Sequence, residues 1–317
     1  MNGRIARFAP VLLLLAAFAI YIGIALATDQ SQYLTFDNLL GLLGRSIALG
    51  ITAVGQTFAI LIASIDLSVA NLISVAAVLA SYIMSGDPSM MLPAVVAVLL
   101  VGAVVGLVNG LIITQLEVNP LIATLGMALI LQGLLSASFT NFAGEVPKEF
   151  QTFAYGEVGG VSVSLVFLVI LTGAAWAFLK FTRMGSNIYS VGGNADAAKL
   201  AGVRTARVVI LAHVICSLCA SVAGLYLASR LRSGAPWIGR DGVYDLESIA
   251  VVVIGGTVLA GGRGGVWGTL VGVMIFSLID SIFNIAGVDA FAKQILRGVI
   301  IVAAVAVYAA RSKRIEA

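Results

Sequence analysis

Three features of the sequence contain residue types that could perform chemistry. Cys216 and Cys219 form a C-x-x-C inside an apolar run, and without a metal or redox context they are predicted to be small packing residues on one helix face. His213 is the only histidine, and packing or a backbone hydrogen bond is its expected role. The glycine-rich run 255–265 lacks the preceding strand and the following Lys-Ser/Thr of a phosphate loop, so it predicts a tight turn between helices.

The elements that must position these residues are those of a membrane protein. The chain has 317 residues, of which 60% are hydrophobic and 10% are charged, whereas a soluble domain is roughly 45–50% apolar and about 25% charged. Several apolar runs reach the ~20 residues that a helix needs to cross a bilayer. The predicted fold class is an all-α polytopic membrane protein. The acidic residues are scattered and there is one histidine, so the sequence predicts no catalytic residue and no metal site. The sequence also lacks a basic cluster of the kind that binds nucleic acid.

The apolar runs predict about ten transmembrane helices in a single domain, residues 1–317. An unbroken helix over 40–85 would be roughly 70 Å long, so Asp66 marks a break, and the glycines of 261–265 mark a second one. The run 8–27 is longer than the core of a signal peptide, which favours a retained first span. The predicted spans lie near 8–27, 40–62, 66–85, 92–115, 120–141, 161–181, 207–228, 244–260, 264–285 and 291–310.

The distribution of lysine and arginine predicts that both termini are cytoplasmic, because cytoplasmic loops carry an excess of these residues. Ten spans put both termini on one side, and loop 182–206 is then the longest cytoplasmic loop. The connections on that side contain Arg4, Arg7, Lys180, Arg183, Lys199, Arg204, Arg207, Arg263, Arg311, Lys313 and Arg314. The opposite connections contain Lys148, Arg230, Arg232 and Arg240.

Loop 182–206 is predicted to contain a short helix from Ala195 to Ala201. Asn194 can cap its N-terminus, and Gly202 supplies the left-handed residue that ends it. Asp196 and Lys199 suit the two ends of the helix dipole. A helix this short is unstable alone in water, so it must dock either on its own bundle or on a separate cytoplasmic partner.

Several motifs together resemble the permease subunits of ribose-type sugar ABC importers. Asp196-Ala197-Ala198 followed by Gly202 resembles the EAA-type coupling motif of importer permeases, with Asp in place of the usual Glu. The matches reach from about residue 50 to 310, and Ala63-Ser64 and Ala70-Asn71 depart from the family pattern. They comprise Gly-Gly-Asn-x-x-Ala-Ala-x-Leu-x-Gly at 192–202, Val-Gly-Gln-Thr at 54–57, Ile-Asp-Leu-Ser-Val at 65–69, Tyr-Asp-Leu-Glu at 244–247, Gly-Gly-Thr at 255–257 and Leu-x-Gly-Gly-x-Gly at 259–264.

This resemblance implies the transmembrane subunit of an importer in the bacterial cytoplasmic (inner) membrane. Such a subunit pairs with a second permease copy or paralogue, a cytoplasmic ABC ATPase and a periplasmic or extracellular sugar-binding protein. ATP and Mg²⁺ would bind to the ATPase, because this chain has no phosphate loop of its own and is expected to bind no cofactor. The implied ATPase-coupling residues are Gly193, Asn194, Asp196, Ala197, Ala198, Leu200 and Gly202.

Polar residues within the predicted spans have both a structural and a functional interpretation. Asp66 could cap the third span, or act at a gate or near the ATPase, and the two roles are compatible. Neutral side chains can hydrogen-bond neighbouring helices, or they can line the path of an uncharged polar solute. The candidates for that path are Gln56, Thr57, Asn109, Gln132 and Asn284.

Two charge arrangements on the external side lead to further expectations. Loop 229–243 carries Arg230, Arg232, Trp237 and Arg240, which could receive the binding protein or anchor the chain at the membrane interface. Asp280 and Arg297 lie at similar depths on adjacent antiparallel spans. Because an unpaired charge in the membrane is costly, we expect these two residues to form a salt bridge; the alternative is that Arg297 extends toward the lipid headgroups.

The leading interpretation is therefore the permease of an ATP-driven importer of a monosaccharide or similar polyol. An ion-coupled secondary transporter of a small polar solute is the alternative, and its uptake would persist without an ATPase. A membrane-embedded enzyme is a third possibility, against which the lack of clustered His, Asp or Glu argues.

Overall fold

The computed structural model describes the backbone of residues 3–316 and the side chains of residues 10–303. Five predicted cytoplasmic residues, Arg4, Arg7, Arg311, Lys313 and Arg314, lie outside the described side chains. The helices are α1 Gly3–Ala27, α2 Phe36–Arg45, α3 Ile47–Leu61, α4 Val69–Met84, α5 Met91–Gln115, α6 Pro120–Ser138, α7 Lys148–Tyr155, α8 Val163–Phe181, α9 Arg183–Gly193, α10 Ala195–Leu200, α11 Thr205–Leu231, α12 Ile238–Asp241, α13 Tyr244–Ile254, α14 Val266–Ile285 and α15 Ala290–Glu316.

The little remaining secondary structure lies in the connections. Short 3₁₀ helices span Ser31–Leu34 and Pro88–Met90. A two-stranded antiparallel hairpin joins β1 (Glu157–Val158) to β2 (Val161–Ser162).

The helical content confirms an all-α polytopic membrane protein. Within the described residues, six helices are long and apolar enough to cross a membrane: α1, α5, α6, α8, α11 and α14. The pair α2–α3, bent by 49°, would form a seventh span. The predicted count of about ten is not reached by this criterion, because α4 has 16 residues, α13 has 11, and the side chains of α15 are described only up to residue 303.

Helix α11 lies at the centre of the bundle and packs against α3, α4 and α5. Glycines allow the close approach, as in many membrane helix pairs: a Cβ at Gly106 of α5 would lie 2.6 Å from the His213 carbonyl oxygen, and one at Gly55 of α3 would lie 2.6 Å from Cys219 Cβ. Both cysteines are free and buried in this core, so their predicted role in packing is confirmed.

Two interruptions of the helices meet at one end of the bundle. α3 ends at Leu61 and α4 begins at Val69, while α13 ends at Ile254 and α14 begins at Val266. Span 244–260 was therefore predicted too long, because the glycine-rich run begins a turn already at Gly255. The backbone N–H of Gly262 donates to the Leu61 carbonyl (2.9 Å), which joins the two interruptions.

The connections contain short helices that were not predicted from the sequence, among them α7, α9 and α12. α9 occupies the first half of loop 182–206, and α7 occupies the loop between α6 and α8. α11 begins close to α10 and ends close to α7, where Ser229 Oγ accepts from the Ala154 N–H (3.1 Å). The two ends of the bundle are called the α10 end and the α7 end below.

The packing of α5 on α11 predicts a site of high sensitivity to added volume. We expect Gly106→Ala to destabilise the protein by about 1–3 kcal/mol, the typical cost of overpacking, because the new methyl group would meet the α11 backbone. The matched control is Gly126→Ala on α6, where a Cβ meets nothing within 4 Å. Thermal unfolding of the detergent-purified variants measures the difference. Equal midpoints for the two variants would contradict this account of the core.

Candidate functional site

Helix α10 has the local structure that the sequence predicts, although it is one residue shorter. Asn194 Oδ1 accepts from the Ala197 N–H (2.9 Å), which is the expected N-cap. Gly202 adopts φ +84°, and the Val203 N–H donates to the Ala198 carbonyl (3.0 Å), as in a Schellman C-cap. The helix ends at Leu200, and Ala201 is its C-cap.

The two faces of α10 have different surroundings. Ala198 is 5% exposed and packs in a core cluster with Val54, Phe58 and Val208, so this face docks on the chain's own bundle. Leu200 is 91% exposed, and Asp196 and Ala197 are exposed with it. The packing of α10 on the bundle leaves this large apolar side chain in water, which is unfavourable. The exposed face of α10 is therefore a surface that is free to bind a partner.

A buried polar network lies directly after the end of α3. Asp66 Oδ1 accepts from the Ser68 N–H (2.9 Å) and hydroxyl (2.5 Å), and Asp66 Oδ2 lies 3.4 Å from His213 Nδ1. His213 Nε2 lies 2.9 Å from Ser64 Oγ. Asn109 Nδ2 extends the network by donating to Ser68 Oγ (3.0 Å). The network therefore ties the segment between α3 and α4 to α5 and α11.

Two predictions about this network are corrected in part. Asp66 does not cap α4, because Ser68 is the N-cap residue and the Asp66 carboxylate accepts from Ser68 rather than from the first turn of the helix; its role at a gate or near the ATPase stays a prediction. His213 is buried, as its predicted packing role requires, and its ring contacts two side chains rather than the backbone. Both partners are about 150 positions away in the sequence, a distance over which residue spacing carries no signal.

The order Ser64–His213–Asp66 is that of a hydrolase triad, but its surroundings do not fit catalysis. Ser64 is 4% exposed, and His213 and Asp66 are fully buried. A nucleophile must lie within about 3 Å of its substrate atom, and no substrate carbonyl can approach a hydroxyl enclosed in this way. The arrangement fits a structural network, in which the buried side chains of Ser64, Asp66 and His213 are partners of one another.

The candidate path residues divide into a buried and an accessible group. Gln56, Thr57 and Asn109 are fully buried; the Gln56 amide, oriented by its partners, faces the Asp66 carbonyl (3.3 Å) and N–H (3.2 Å), and Thr57 bonds to Thr269 (2.7 Å). Each of the three therefore has a structural role within this chain: Thr57 joins α3 to α14, and Gln56 and Asn109 hold the segment between α3 and α4. Gln132 is half-buried and Asn284, which accepts from Lys293 Nζ, is exposed, and their role in a path stays a prediction.

The external arginines of the sequence prediction have three different environments. Arg230 turns inward, and its guanidinium donates to the Gly44 carbonyl (3.2 Å). Arg240 is exposed beside Asp241. Arg232 lies over the Tyr155 ring (5.4 Å to the ring centroid) and lines an open cleft of about 420 Å³ with Lys148, Gln151, Thr152, Tyr155 and Gly156.

Trp237 packs edge-on against Phe142. Its indole is half-buried, so it has a packing role within the chain beside any role in docking.

The predicted ion pair is present, and it has a third member. Arg297 of α15 donates to Asp280 of α14 (2.5 Å) and to Glu247 of α13 (3.0 Å). The Glu247 side chain is 7% exposed, while those of Asp280 and Arg297 are about 30% exposed. The guanidinium thus holds three helices together near the α7 end, and the prediction that named only Asp280 was incomplete.

Comparison with known proteins identifies the family to which this geometry belongs. A family model described as branched-chain amino acid transport system / permease component matches residues 38–305. The ribose import permease of Escherichia coli (strain K12) is 36% identical over 287 residues, which are 89% of this chain and 88% of that protein. The chain belongs to the ribose-type family of ABC importer permeases. The resemblance carried by the sequence motifs is therefore confirmed.

Other relatives support the same assignment. The ribose import permease of Bacillus subtilis (strain 168) is 35% identical over 84% of this chain and 83% of that protein. The galactose/methyl galactoside import permease of Salmonella typhimurium is 34% identical over 93% of this chain and 91% of that protein. No solved structure matches the chain. The permease is accordingly a multi-pass protein of the inner membrane and a transporter component.

The Arg297 cluster yields a stability prediction for the permease. Arg297→Ala should cost more than Asp280→Ala, because it leaves two carboxylates without a cation, whereas Asp280→Ala leaves Arg297 paired with Glu247. The cost should fall below the roughly 3–5 kcal/mol of a fully buried pair, since 31% of the Arg297 side chain is exposed. Thermal unfolding in detergent measures both variants.

A neutral triple variant serves as the control for this prediction. Glu247→Gln, Asp280→Asn and Arg297→Met together remove all three charges and keep the side-chain volumes. This variant should be more stable than Arg297→Ala, because no charge remains unpaired. If the triple variant is as unstable as Arg297→Ala, loss of packing rather than loss of charge pairing explains the effect.

Proposed function

We propose that the permease moves a monosaccharide or similar polyol into the cell, driven by ATP hydrolysis on a separate ABC ATPase. Relatives that the chain matches over most of its length are named import permeases for ribose and for galactose/methyl galactoside, and another is a D-allose transport system permease. All of these solutes are uncharged and rich in hydroxyl groups. Neutral amides such as Gln132 and Asn284 suit such a solute, since they offer both donors and acceptors.

In this proposal ten spans place both termini in the cytoplasm, and the α10 end faces the cytoplasm. The charges at the two ends support this orientation. Lys180, Arg183, Lys199, Arg204, Arg207 and Arg263 belong to elements of the α10 end, whereas Asp37, Asp87, Glu145, Glu149 and Glu157 belong to elements of the α7 end. Most residues of the shorter α4 and α13 are buried, and interrupted spans are tolerated where protein covers them.

The observation that carries the proposed coupling is the exposed face of α10. Leu200 projects from a docked and capped helix at the α10 end of the bundle, where the basic residues lie. Gly193, Asp196 and Ala197 are exposed around it. Small residues around one large apolar residue allow a partner backbone to approach closely. We infer that this face receives the ATPase, to which ATP and Mg²⁺ bind.

A second permease copy or paralogue and an external sugar-binding protein complete the proposed assembly. The cleft formed by Lys148 and Arg232 at the α7 end supports a docking role, because it presents two cations of the permease to an acidic surface of the binding protein. Membership of the ABC importer permease family argues against the ion-coupled secondary transporter considered from the sequence. Such a transporter would take up solute in vesicles without any ATPase, and this observation separates the two.

The coupling role of α10 predicts a specific effect at Leu200. Leu200→Asp should insert and fold normally, because this side chain has few contacts within the chain, but the variant should lose most ATPase co-purification and sugar uptake. Leu116→Asp is the matched control, since Leu116 is 69% exposed at the same end, just after α5. Pull-down of the ATPase and uptake in membrane vesicles measure both variants. Wild-type behaviour of Leu200→Asp would refute the docking surface.

Ala198 of α10 is unsuitable for this test because it is buried. A charged residue there would disrupt the chain's own packing of α10, so that variant cannot separate docking from folding. Leu200 is therefore the residue to test.

The external cleft predicts a dependence on ionic strength. Replacing both Lys148 and Arg232 with Gln should lower the stimulation of ATPase activity by the binding protein, most strongly at low salt, where charge attraction is least screened. Arg240→Gln is the control, because Asp241 already compensates this charge. Arg230 is left intact, since it anchors α11 to Gly44. If the double variant is stimulated as strongly as the wild type at low and at high salt, the cleft is not a docking site.

A further inference from the structure

The junction between α9 and α10 is packed directly against both helix interruptions. A Cβ at Gly192 would overlap the Leu61 carbonyl oxygen, the acceptor of the Gly262 N–H. From the other side, a Cβ at Gly261 would lie 2.7 Å from the Gly192 carbonyl oxygen and 2.8 Å from the Ala63 nitrogen. Three segments of the chain thus meet backbone to backbone, with no side chain between them.

Further features restrict the two segments that contact α9, which are the turn before α14 and the end of α3. Tyr189 Oη donates to the Gly264 carbonyl (3.0 Å), which holds α9 to the turn before α14. Partial burial raises the pKa of Tyr189 above its ordinary value, so this hydroxyl stays a neutral donor. On the side of α3, Ala63 adopts φ +60°, a conformation that non-glycine residues keep only where the surroundings impose it.

This arrangement has a mechanical consequence, because close-packed backbone does not compress. A shift of α10 that moves Gly192 must displace Leu61, Gly262 or both, and Leu61 is followed by the segment that holds Asp66. Asp66 in turn reaches α11 through His213. α10 is therefore linked to α3, α4, α11 and the start of α14 through a continuous series of contacts that begins at Gly192 of α9.

We propose that the backbone junction of Gly192, Leu61 and Gly262 transmits the movement of α10 to the two helix interruptions. The inference rests on the proposed function, since it needs an ATPase that moves α10. Gly192 is a positioning residue in this scheme: it touches neither solute nor nucleotide, and its lack of a side chain sets the contact. The simpler alternative is that the junction only packs the loop.

Two helical glycines provide a matched pair of variants. Gly192→Ala forces the junction apart, whereas a Cβ at Gly173 of α8, outside the proposed docking face, meets nothing within 4 Å. Each variant is reconstituted in proteoliposomes with the ATPase and the binding protein, and sugar transported per ATP hydrolysed is measured. The probe is whichever of radiolabelled ribose, galactose or allose the wild-type permease takes up.

We expect Gly192→Ala to retain the bound ATPase but to transport roughly tenfold less sugar per ATP, within the range of coupling between distant sites. Gly173→Ala should keep the wild-type ratio. A purely structural defect would lower transport and hydrolysis in proportion and leave the ratio unchanged. An unchanged ratio in Gly192→Ala, or an equal loss in Gly173→Ala, overturns the proposal.

A milder variant decides the outcome if Gly192→Ala fails to fold. Tyr189→Phe removes one hydrogen bond to Gly264 and little volume, so it should fold and still lower the ratio several-fold. A wild-type ratio in Tyr189→Phe would then overturn the proposal. If the wild-type chain itself binds no ATPase and takes up no sugar, the proposed function fails; a change of ratio confined to particular variants concerns the junction alone.

Discussion

A helix that stops while other helices still enclose it leaves backbone groups that water cannot reach, and each must find a partner in the protein. α3 is buried along its whole length and ends at Leu61. Its terminal carbonyl is satisfied by Gly262, the Asp66 backbone faces the Gln56 amide, and the Gly265 N–H donates to Thr257 Oγ1 (3.2 Å). The two interruptions therefore complete each other, and this mutual pairing determines where α4, α10 and α14 can lie.

Features that depend on neighbouring residues could be predicted from the sequence. The cap at Asn194 and the left-handed Gly202 follow from residue types a few positions apart, and the glycine-rich run could be interpreted as a turn because it lacks the flanking residues of a phosphate loop. The pair Asp280–Arg297 could be predicted because the two residues lie at similar depths on neighbouring antiparallel helices. Most transmembrane helices were located by their apolar runs alone.

Features that depend on contacts across the fold could not be predicted in this way. Nothing near His213 in the sequence points to Ser64 or Asp66, and Glu247 joins Arg297 from a helix 50 positions away. α7 and α9 lack long apolar runs, so a search for spans overlooks them. Of the candidate site residues, those on α10 could be named from their motif, whereas which face of α10 is free depends on the packing of Ala198 against helices distant in the sequence.

The enclosed thiols have a practical consequence for following motion in this permease. Cys216 and Cys219 are the only cysteines in the chain, and they are 0% and 6% exposed between α11 and α3. A water-soluble maleimide or spin label would find neither sulfur accessible in the folded protein. A cysteine introduced at an exposed position would thus be labelled selectively in the natural background. Replacing the native pair first would be unnecessary, and it would disturb the close contact of Cys219 with Gly55.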